Sequence, residues 1–144
     1  MHIDVDPLVG KAFFSNPPKG PVVMLNLLCF RDIADYSAFP DLAPLGPISG
    51  AKAYALYGMH ALPLLTEAGS DVIFRGAVHG TGGTPLIGPV DERWDLALLV
   101  RYQSAQSFMK FATDKRYLAI KGHRSAALAD SRLIPLSELA SASE

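Results

Sequence analysis

The sequence predicts an α+β domain of the ferredoxin-like class, with a four-stranded antiparallel sheet and both helices on one face. Three observations support this class. Four apolar segments have the length of strands, two segments have helical spacing, and their order along the chain is β-α-β-β-α-β. With 144 residues, the chain suits one domain of ordinary size. Because crossover connections are right-handed, both helices fall on the same face of the sheet.

Each element has a local justification. The first helix is expected to begin after the N-cap Ser49, to contain Pro63 and to end near Gly69. The second is expected to begin after Ser104, to restart at Thr113-Asp114 and to stop at Gly122. Strands are predicted from apolar runs bounded by turn residues. The predicted strands are residues 22–30, 71–80, 92–102 and 128–136.

The chain divides into an arm, a domain and a tail. Residues 1–20 are predicted as an N-terminal arm ending in the turn-rich segment NPPKG, residues 21–136 as the single domain, and residues 137–144 as a tail. The connection 31–49 is long and contains several prolines, which is typical of lids and interface arms.

Composition excludes several classes of function. The net charge of -1 offers no basic surface for nucleic acid. The single cysteine, Cys29, excludes an intramolecular disulfide and a cysteine-rich zinc site. We expect no secretory signal and no membrane span, because the N-terminus lacks a basic, then apolar segment and no apolar run reaches about 20 residues. We therefore expect a cytoplasmic protein.

The two faces of the sheet are predicted from alternation along the strands. One set is almost wholly apolar and is expected to pack under the helices: Val23, Leu25, Leu27, Cys29, Val72, Phe74, Val78, Trp94, Leu96, Leu98, Val100 and Tyr102. The other set mixes large apolar groups with a few charges: Val22, Met24, Asn26, Leu28, Phe30, Ile73, Arg75, Ala77, His79, Asp95, Ala97, Leu99, Arg101, Asp130 and Arg132. An exposed apolar face indicates an interaction surface, so we expect a homodimer formed through this second face.

Several segments resemble a known family. PVVMLNLLCF, AYALYGMHALPLLTEAG, DVIFRGAV, ERWDLALLVRYQSAQSFMKF and RYLAIKGHRSAALADSRLIP are similar to the bacterial domain of unknown function 1330. The resemblance covers residues 21–136 and departs from the short relatives at loop 31–49 and at Arg101-Tyr102-Gln103-Ser104. It matches the family's characteristic positions at Tyr57, Arg75-Gly76 and Tyr117.

The resemblance implies a dimeric α+β barrel, the superfamily to which that family belongs. Its members include cofactor-independent monooxygenases, lactone isomerases, dehydratases and haem enzymes, together with proteins of no known chemistry. Fold alone therefore does not select a reaction.

No metal or cofactor is expected. The four histidines, His2, His60, His79 and His123, lack the HxxxH or HExxH spacing of a metal site. The glycine-rich segment GTGGTPLIG lacks the Lys-Ser/Thr of a phosphate loop, so it is interpreted as a connection. Cys29 is interpreted as an inert core thiol.

Tyr57 and His60 are the candidates for acid–base catalysis. They are three residues apart, so they share one helical face and can address one ligand atom. A histidine such as His60 can serve as a general acid or base where a carboxylate or a ligand lies within reach. The alternative is a surface contact between this helix and loop 31–49.

The predicted substrate-binding residues are polar or aromatic. Arg75 and Arg124 are candidate ligands of an oxygen atom through their planar guanidinium groups, and Asn26 is a candidate for orienting the substrate. Trp94, Tyr117 and His123 complete the set, although Trp94 faces away from Asn26 in the predicted register.

Each binding role has a structural alternative. His123-Arg124 also suits the end of a helix, where the dipole favours cations. The polar residues of the second sheet face also suit a buried cluster that sets the register of a dimer: Asn26, Arg75, Asp95 and Arg101.

The sequence thus predicts a homodimer with a pocket for a small, mostly apolar molecule that carries a carbonyl or oxyanion. As an enzyme it would be a cofactor-independent lyase, isomerase or monooxygenase. The alternative is a non-catalytic binding or stress-associated dimer. A cavity containing Tyr57, Arg75 and Arg124 together would favour the enzyme. The substrate and the reaction do not follow from the sequence.

Overall fold

The structure, a computed structural model, describes residues 1–140. Its four strands form one antiparallel sheet in the order β2-β3-β1-β4, which confirms the predicted ferredoxin-like fold class. The predicted tail 137–144 extends beyond the described residues. The strands are β1 (Val22–Phe30), β2 (Asp71–Ala77), β3 (Leu96–Tyr102) and β4 (Leu128–Leu136). The bounds of β1 and β4 equal the predicted ones, whereas β2 ends earlier and β3 begins later than predicted.

Five α-helices accompany the sheet within residues 1–140, and none of them is long and apolar enough to cross a membrane. Two short 3₁₀ helices lie in connections, at Pro40–Leu42 and Thr81–Gly83. Both predicted N-caps are confirmed: the side chain of Ser49 accepts from the Lys52 N–H at 3.1 Å, and that of Ser104 from the Ser107 N–H at 3.0 Å. The α-helices are α1 (Pro7–Ser15), α2 (Gly50–Glu67), α3 (Ala105–Thr113), α4 (Lys115–Ile120) and α5 (Gly122–Ala127).

The second predicted helix is divided into α3, α4 and α5. Asp114 separates the first two and caps α4, as the sequence predicts for a restart. Gly122 does not stop the helical segment as predicted, because α5 begins there. A Cβ at this position would lie 2.7 Å from side-chain atoms of both Leu42 and Phe39. The glycine therefore serves the close approach of loop 31–49 to α5.

The hydrophobic core lies between the helices and one face of the sheet. Strand positions on this face are buried together with Ala53, Ala61 and Leu65 of α2 and Phe111 of α3. Full burial of one such leucine stabilises the fold by about 2 kcal/mol. The core positions of β1 and β3 are Val22, Met24, Leu28, Leu96, Leu98, Val100 and Tyr102.

The predicted face assignment is wrong for β1. Met24 pairs with Val100 and Leu28 with Leu96, so even-numbered residues of β1, including Asn26, share the helix-covered face with the core of β3. Both faces of this central strand are apolar, so its alternation does not distinguish them. Pairing with β3 determines which side of β1 faces the helices, and it places Cys29 on the sheet face turned away from them.

Strand β2 also departs from the prediction, because its register shifts between Val72 and Phe74. This irregularity leaves Ile73 without a register partner and reverses the alternation that follows it. Phe74 therefore pairs with Leu99 on the uncovered face, and Arg75 lies opposite Leu98, on the helix side.

We define the open face as the sheet face turned away from the helices. By pairing register it consists of Val23, Leu25, Leu27, Cys29, Asp71, Phe74, Gly76, Ala97, Leu99, Arg101, Asp130, Arg132, Ile134 and Leu136. Most of these side chains are apolar. A homodimer formed through the open face would therefore use the odd-numbered residues of β1, whereas the sequence predicted the even-numbered ones.

Two segments outside the βαββαβ core pack onto it. Loop 31–49 is fixed to α5 by main-chain hydrogen bonds from Arg31 to Ala127, at 2.8 Å, and from Asp35 to Ala126, at 2.9 Å. The segment predicted as an arm contains α1, whose phenylalanines Phe13 and Phe14 pack against the core. The arm therefore covers the helix side of the sheet.

Candidate functional site

A cavity of about 630 Å³ lies between the sheet, the helices and the arm. Its floor is formed by helix-side positions of β1 and β4, including Asn26 and Ser131, and its walls by aromatic residues. Residues from both ends of the chain line it, because the arm lies beside β4. Such a concave, mostly apolar space with a few polar groups is typical of small-molecule sites.

The structure brings four of the eight predicted site residues to this cavity. Asn26, Tyr57, Tyr117 and Arg124 line it. The other four do not line it: His60, Arg75, Trp94 and His123. The predicted combination of Tyr57, Arg75 and Arg124 in one cavity is therefore not found, because β2 is an exposed edge strand and places Arg75 elsewhere.

Three tyrosines line the cavity: Tyr57, Tyr102 and Tyr117. The hydroxyls of Tyr57 and Tyr117 are hydrogen-bonded to each other at 3.1 Å. The hydroxyl of Tyr102 has no hydrogen-bond partner among residues 1–140, although the residue is only 5% exposed. Burial raises the pKa of Tyr57 and of Tyr102 well above the ordinary tyrosine range. Both phenols therefore stay protonated at neutral pH and can donate a hydrogen bond.

Arg124 is one of three Lys or Arg residues that line the cavity, together with Lys121 and Arg132. The Nη1 of Arg124 donates to the main-chain carbonyl of Ile3 at 2.7 Å. It takes part in none of the ion pairs of the described chain. Its charge opposes the burial-driven rise in the pKa of Tyr57 and of Tyr102.

Asn26 supplies an amide on the floor. Its Nδ2 donates to the carbonyl of Met24 at 3.2 Å, and its Oδ1 accepts no hydrogen bond from the part of the chain that the structure describes. The residue is half-buried and lines the cavity. Its carbonyl oxygen is thus available to a donor on a bound molecule.

His60 and His123 belong to a separate cluster, although Tyr57 lies only three residues before His60. The two imidazole rings stack with centroids 5.7 Å apart. The hydroxyl of Tyr36, from loop 31–49, is hydrogen-bonded to His123 Nδ1 at 2.7 Å. Burial, and then the charge of His60, lower the pKa of His123. These contacts join α2, α5 and loop 31–49, in line with the alternative in which His60 belongs to a contact between its helix and this loop.

Trp94 is held on the open side of the sheet. The guanidinium of Arg132 lies 5.0 Å from the centroid of its ring, and its Nε1 donates to Glu92 at 2.8 Å. Arg132 occupies an open-face position of β4. Arg132 also lines the cavity, but Trp94 itself does not.

Of the four residues predicted to form a polar cluster, only Asp95 forms an ion pair within residues 1–140, and its partner is Arg93. Arg93 forms an ion pair with Asp95 at 3.2 Å and donates to Cys29 Sγ at 3.0 Å. Asp95 also accepts from the Phe30 N–H at 2.7 Å. Burial raises the pKa of the Cys29 thiol, which favours the protonated, unreactive form.

Some residues that line the cavity were not among the predicted site residues. Tyr102 and Phe108 line it, and both had a signal, since Tyr102 continues the apolar alternation of β3 and Phe108 lies on the predicted second helix. The sequence carried no signal for His2 and Ile3, because no local pattern indicates where an N-terminal arm packs on the domain. No group of three or more His, Cys, Asp or Glu side chains within residues 1–140 is arranged to hold a metal ion.

The sheet order and the covered cavity define an α+β protein of the ferredoxin-like class. The chain is 36% identical to RPA0582, a protein of unknown function from Rhodopseudomonas palustris, with a TM-score of 0.83 over 96% of this chain and 97% of that one. A structure of methylated RPA0582 gives the same identity and TM-score and is covered over 95% of its length. The chain therefore belongs to the family of RPA0582.

A more distant structure supports the fold alone. It is a dimeric protein of unknown function with a ferredoxin-like fold from Bacteroides fragilis, 13% identical, with a TM-score of 0.51 over 82% of this chain and 96% of that one. No family model matches the chain, and no curated protein matches it either.

Proposed function

We propose that this protein binds a small, mostly apolar molecule that carries a carbonyl or an oxyanion. The observation that carries the proposal is the convergence of Arg124 and neutral tyrosine hydroxyls in an aromatic-lined cavity. The cation and the hydroxyls are donors, so they complement an oxygen acceptor on the ligand. Membership of the domain of unknown function 1330 family is part of this proposal and rests on the sequence segments quoted above.

The same donors favour catalysis as a second candidate. A guanidinium and neutral phenols stabilise negative charge that develops on an oxygen, as in an enolate intermediate. This suits a cofactor-independent isomerisation, elimination or oxygenation, with Tyr57 as the acid. The carboxylates that line the cavity, Asp4 and Asp6, lie on the exposed arm, and neither histidine of α2 and α5 reaches the lining. Binding is therefore the conclusion that the geometry supports best.

We further propose that two copies associate through the open face. Phe74 is 56% exposed, Ile134 43% and Leu136 40%, and they flank half-buried leucines of the central strands. An apolar sheet face of this kind is a typical interaction surface. The Bacteroides fragilis structure is described as dimeric. A dimer would place the two cavities on its outer sides, because they lie across the sheet from this face.

The test is native mass spectrometry of protein purified without added ligand. We expect a dimer that retains a small molecule, with retention reduced in Tyr57→Phe and in Arg124→Met. Tyr36→Phe is the matched control, because this hydroxyl contacts His123 outside the cavity. A monomer at micromolar concentration would contradict the dimer. An empty protein whose unfolding temperature no aromatic or aliphatic carbonyl compound raises would contradict the binding function.

A further inference from the structure

We infer that the oxygen group recognised in this cavity is a carboxylate, carried on an aromatic molecule and held by the free edge of Arg124. The inference rests on the proposed binding function and adds to it the charge and shape of the ligand.

The guanidinium of Arg124 has one edge available. Nη1 is occupied by the carbonyl of Ile3. Nε and Nη2 donate to no residue within 1–140, and neither is sealed from solvent. These two nitrogens present parallel N–H groups, which match the two oxygens of a carboxylate, whereas a ketone or an ester offers only one carbonyl oxygen to the pair.

The polar side chains that line the cavity are mainly donors, apart from the Asn26 carbonyl oxygen and the carboxylates of Asp4 and Asp6. Tyr57 and Tyr102 remain protonated because burial raises their pKa values. Lys121 also lines the space. Asp6 accepts hydrogen bonds from the first turn of α1, and Asp4 is exposed to screening water. A negatively charged group that only accepts hydrogen bonds complements this interior.

The walls favour a flat hydrocarbon body. The rings of Phe14 and Phe108 are nearly parallel, at an interplanar angle of 6°, and Tyr102 meets Phe108 edge to face with centroids 5.0 Å apart. All three residues line the cavity. Aromatic rings pack well on such surfaces by offset or edge-to-face contacts. The cavity volume of about 630 Å³ accommodates a fused pair of rings.

The inference is tested by isothermal titration calorimetry with three probes that share one ring system: naphthoate, naphthamide and methyl naphthoate. We expect naphthoate to bind at least about ten-fold more tightly than the two neutral probes. Arg124→Met should reduce naphthoate binding to the level of the amide and leave the amide little changed. Arg124→Lys keeps the charge but loses the paired donors, so its acid-to-amide ratio should be intermediate.

Lys110→Met is the matched control, because it removes an exposed cation of α3 that does not line the cavity. It should leave all three affinities unchanged. One outcome is that the native protein binds naphthoate and naphthamide equally and that Arg124→Met changes neither affinity. That result would overturn the inference that the ligand carries a carboxylate and would leave the proposed binding function standing. Binding of none of the probes would overturn both. Should Arg124→Met not fold, a native acid-to-amide ratio in Arg124→Lys would overturn the inference.

Discussion

The Nη1 atom of Arg124 donates a 2.7 Å hydrogen bond to the carbonyl of Ile3, although the two residues are 121 positions apart in the chain. The bond ties helix α5 to the N-terminal arm at the wall of the cavity. Two more bonds hold the same segment: the His2 N–H donates to Asp130 at 2.8 Å, and Ser131 Oγ donates to the carbonyl of His2 at 2.6 Å. Arg124, one of the cations of the candidate site, is thus positioned partly by the arm.

Deleting residues 1–6 should destabilise the protein and open the cavity. The deletion removes these three hydrogen bonds, the core contact of Ile3 and the N-cap Asp6, which accepts from the Leu8 and Val9 N–H groups of α1. We expect a loss of about 1–2 kcal/mol in the free energy of unfolding, measured by urea denaturation. Ser131→Ala, which removes one of the three bonds, should lose less. Unchanged stability in the deletion would contradict this role of the arm.

The buried phenols predict a loss of stability at alkaline pH. Burial raises the pKa of Tyr54 from 10.0 to about 12, so between these values the folded state holds a proton that the unfolded state releases. Stability is therefore complete below pH 10 and falls as the pH rises towards 12. Urea unfolding across this range should show the decline, and Tyr54→Phe should reduce its slope. An equal slope in native and variant protein would contradict the assignment.

The histidine pair predicts a loss of stability in acid. The pKa of His123 is lowered from 6.5, so the unfolded state binds a proton more readily than the folded one. Its contribution to stability is present above pH 6.5 and falls as the pH drops through this value. NMR titration of the ring protons should show the lowered pKa. His60→Gln should raise it, and a native value at or above 6.5 would contradict the prediction.

Ile134→Glu should weaken the proposed dimer. The residue lies on the open face opposite Leu25, where association would bury the new charge without a partner. Such burial costs several kcal/mol, so we expect at least about a hundred-fold weaker association in sedimentation equilibrium. Leu118→Glu is the matched control, since Leu118 is similarly exposed but lies on α4. Equal dissociation constants in both variants would exclude the open face as the interface.

Two glycines of α2 should respond oppositely to alanine. A Cβ at Gly50 would collide with the carbonyl oxygens of Arg31 and Ala127, so Gly50→Ala should destabilise the fold by at least about 2 kcal/mol. Gly58 has nothing within 4 Å of such a Cβ, so Gly58→Ala should stabilise the helix by about 0.5–1 kcal/mol. Thermal unfolding of both variants measures the difference. Equal effects would contradict the packing of loop 31–49 on α2 and α5.

Much of the fold could be predicted because its signals are local. The apolar runs of β1 and β4 end at the predicted residues, and Ser49 and Ser104 cap their helices as predicted. The same local information did not extend to α5. Its first residue, Gly122, is of the type that commonly ends a helix, but here it allows a close approach to Phe39.

The candidate site was predicted less well, because proximity in sequence does not determine which neighbours a side chain meets. Tyr57 and His60 were expected to act together, yet the first contacts Tyr117 and the second stacks on His123. Asn26 was assigned to the open face and instead forms part of the cavity floor. One irregularity in β2 was enough to move Arg75 to the other side of the sheet.

Local patterns alone therefore specified the order of the four strands and the two main helical segments, their two N-caps and an apolar surplus on the sheet. Only the folded chain decided which side of β1 faces the helices, because both sides are apolar and the choice depends on pairing with β3. It also decided that Arg124 meets the arm beside buried tyrosines, since contacts across 121 residues depend on how the whole chain packs. The cavity is a product of that packing.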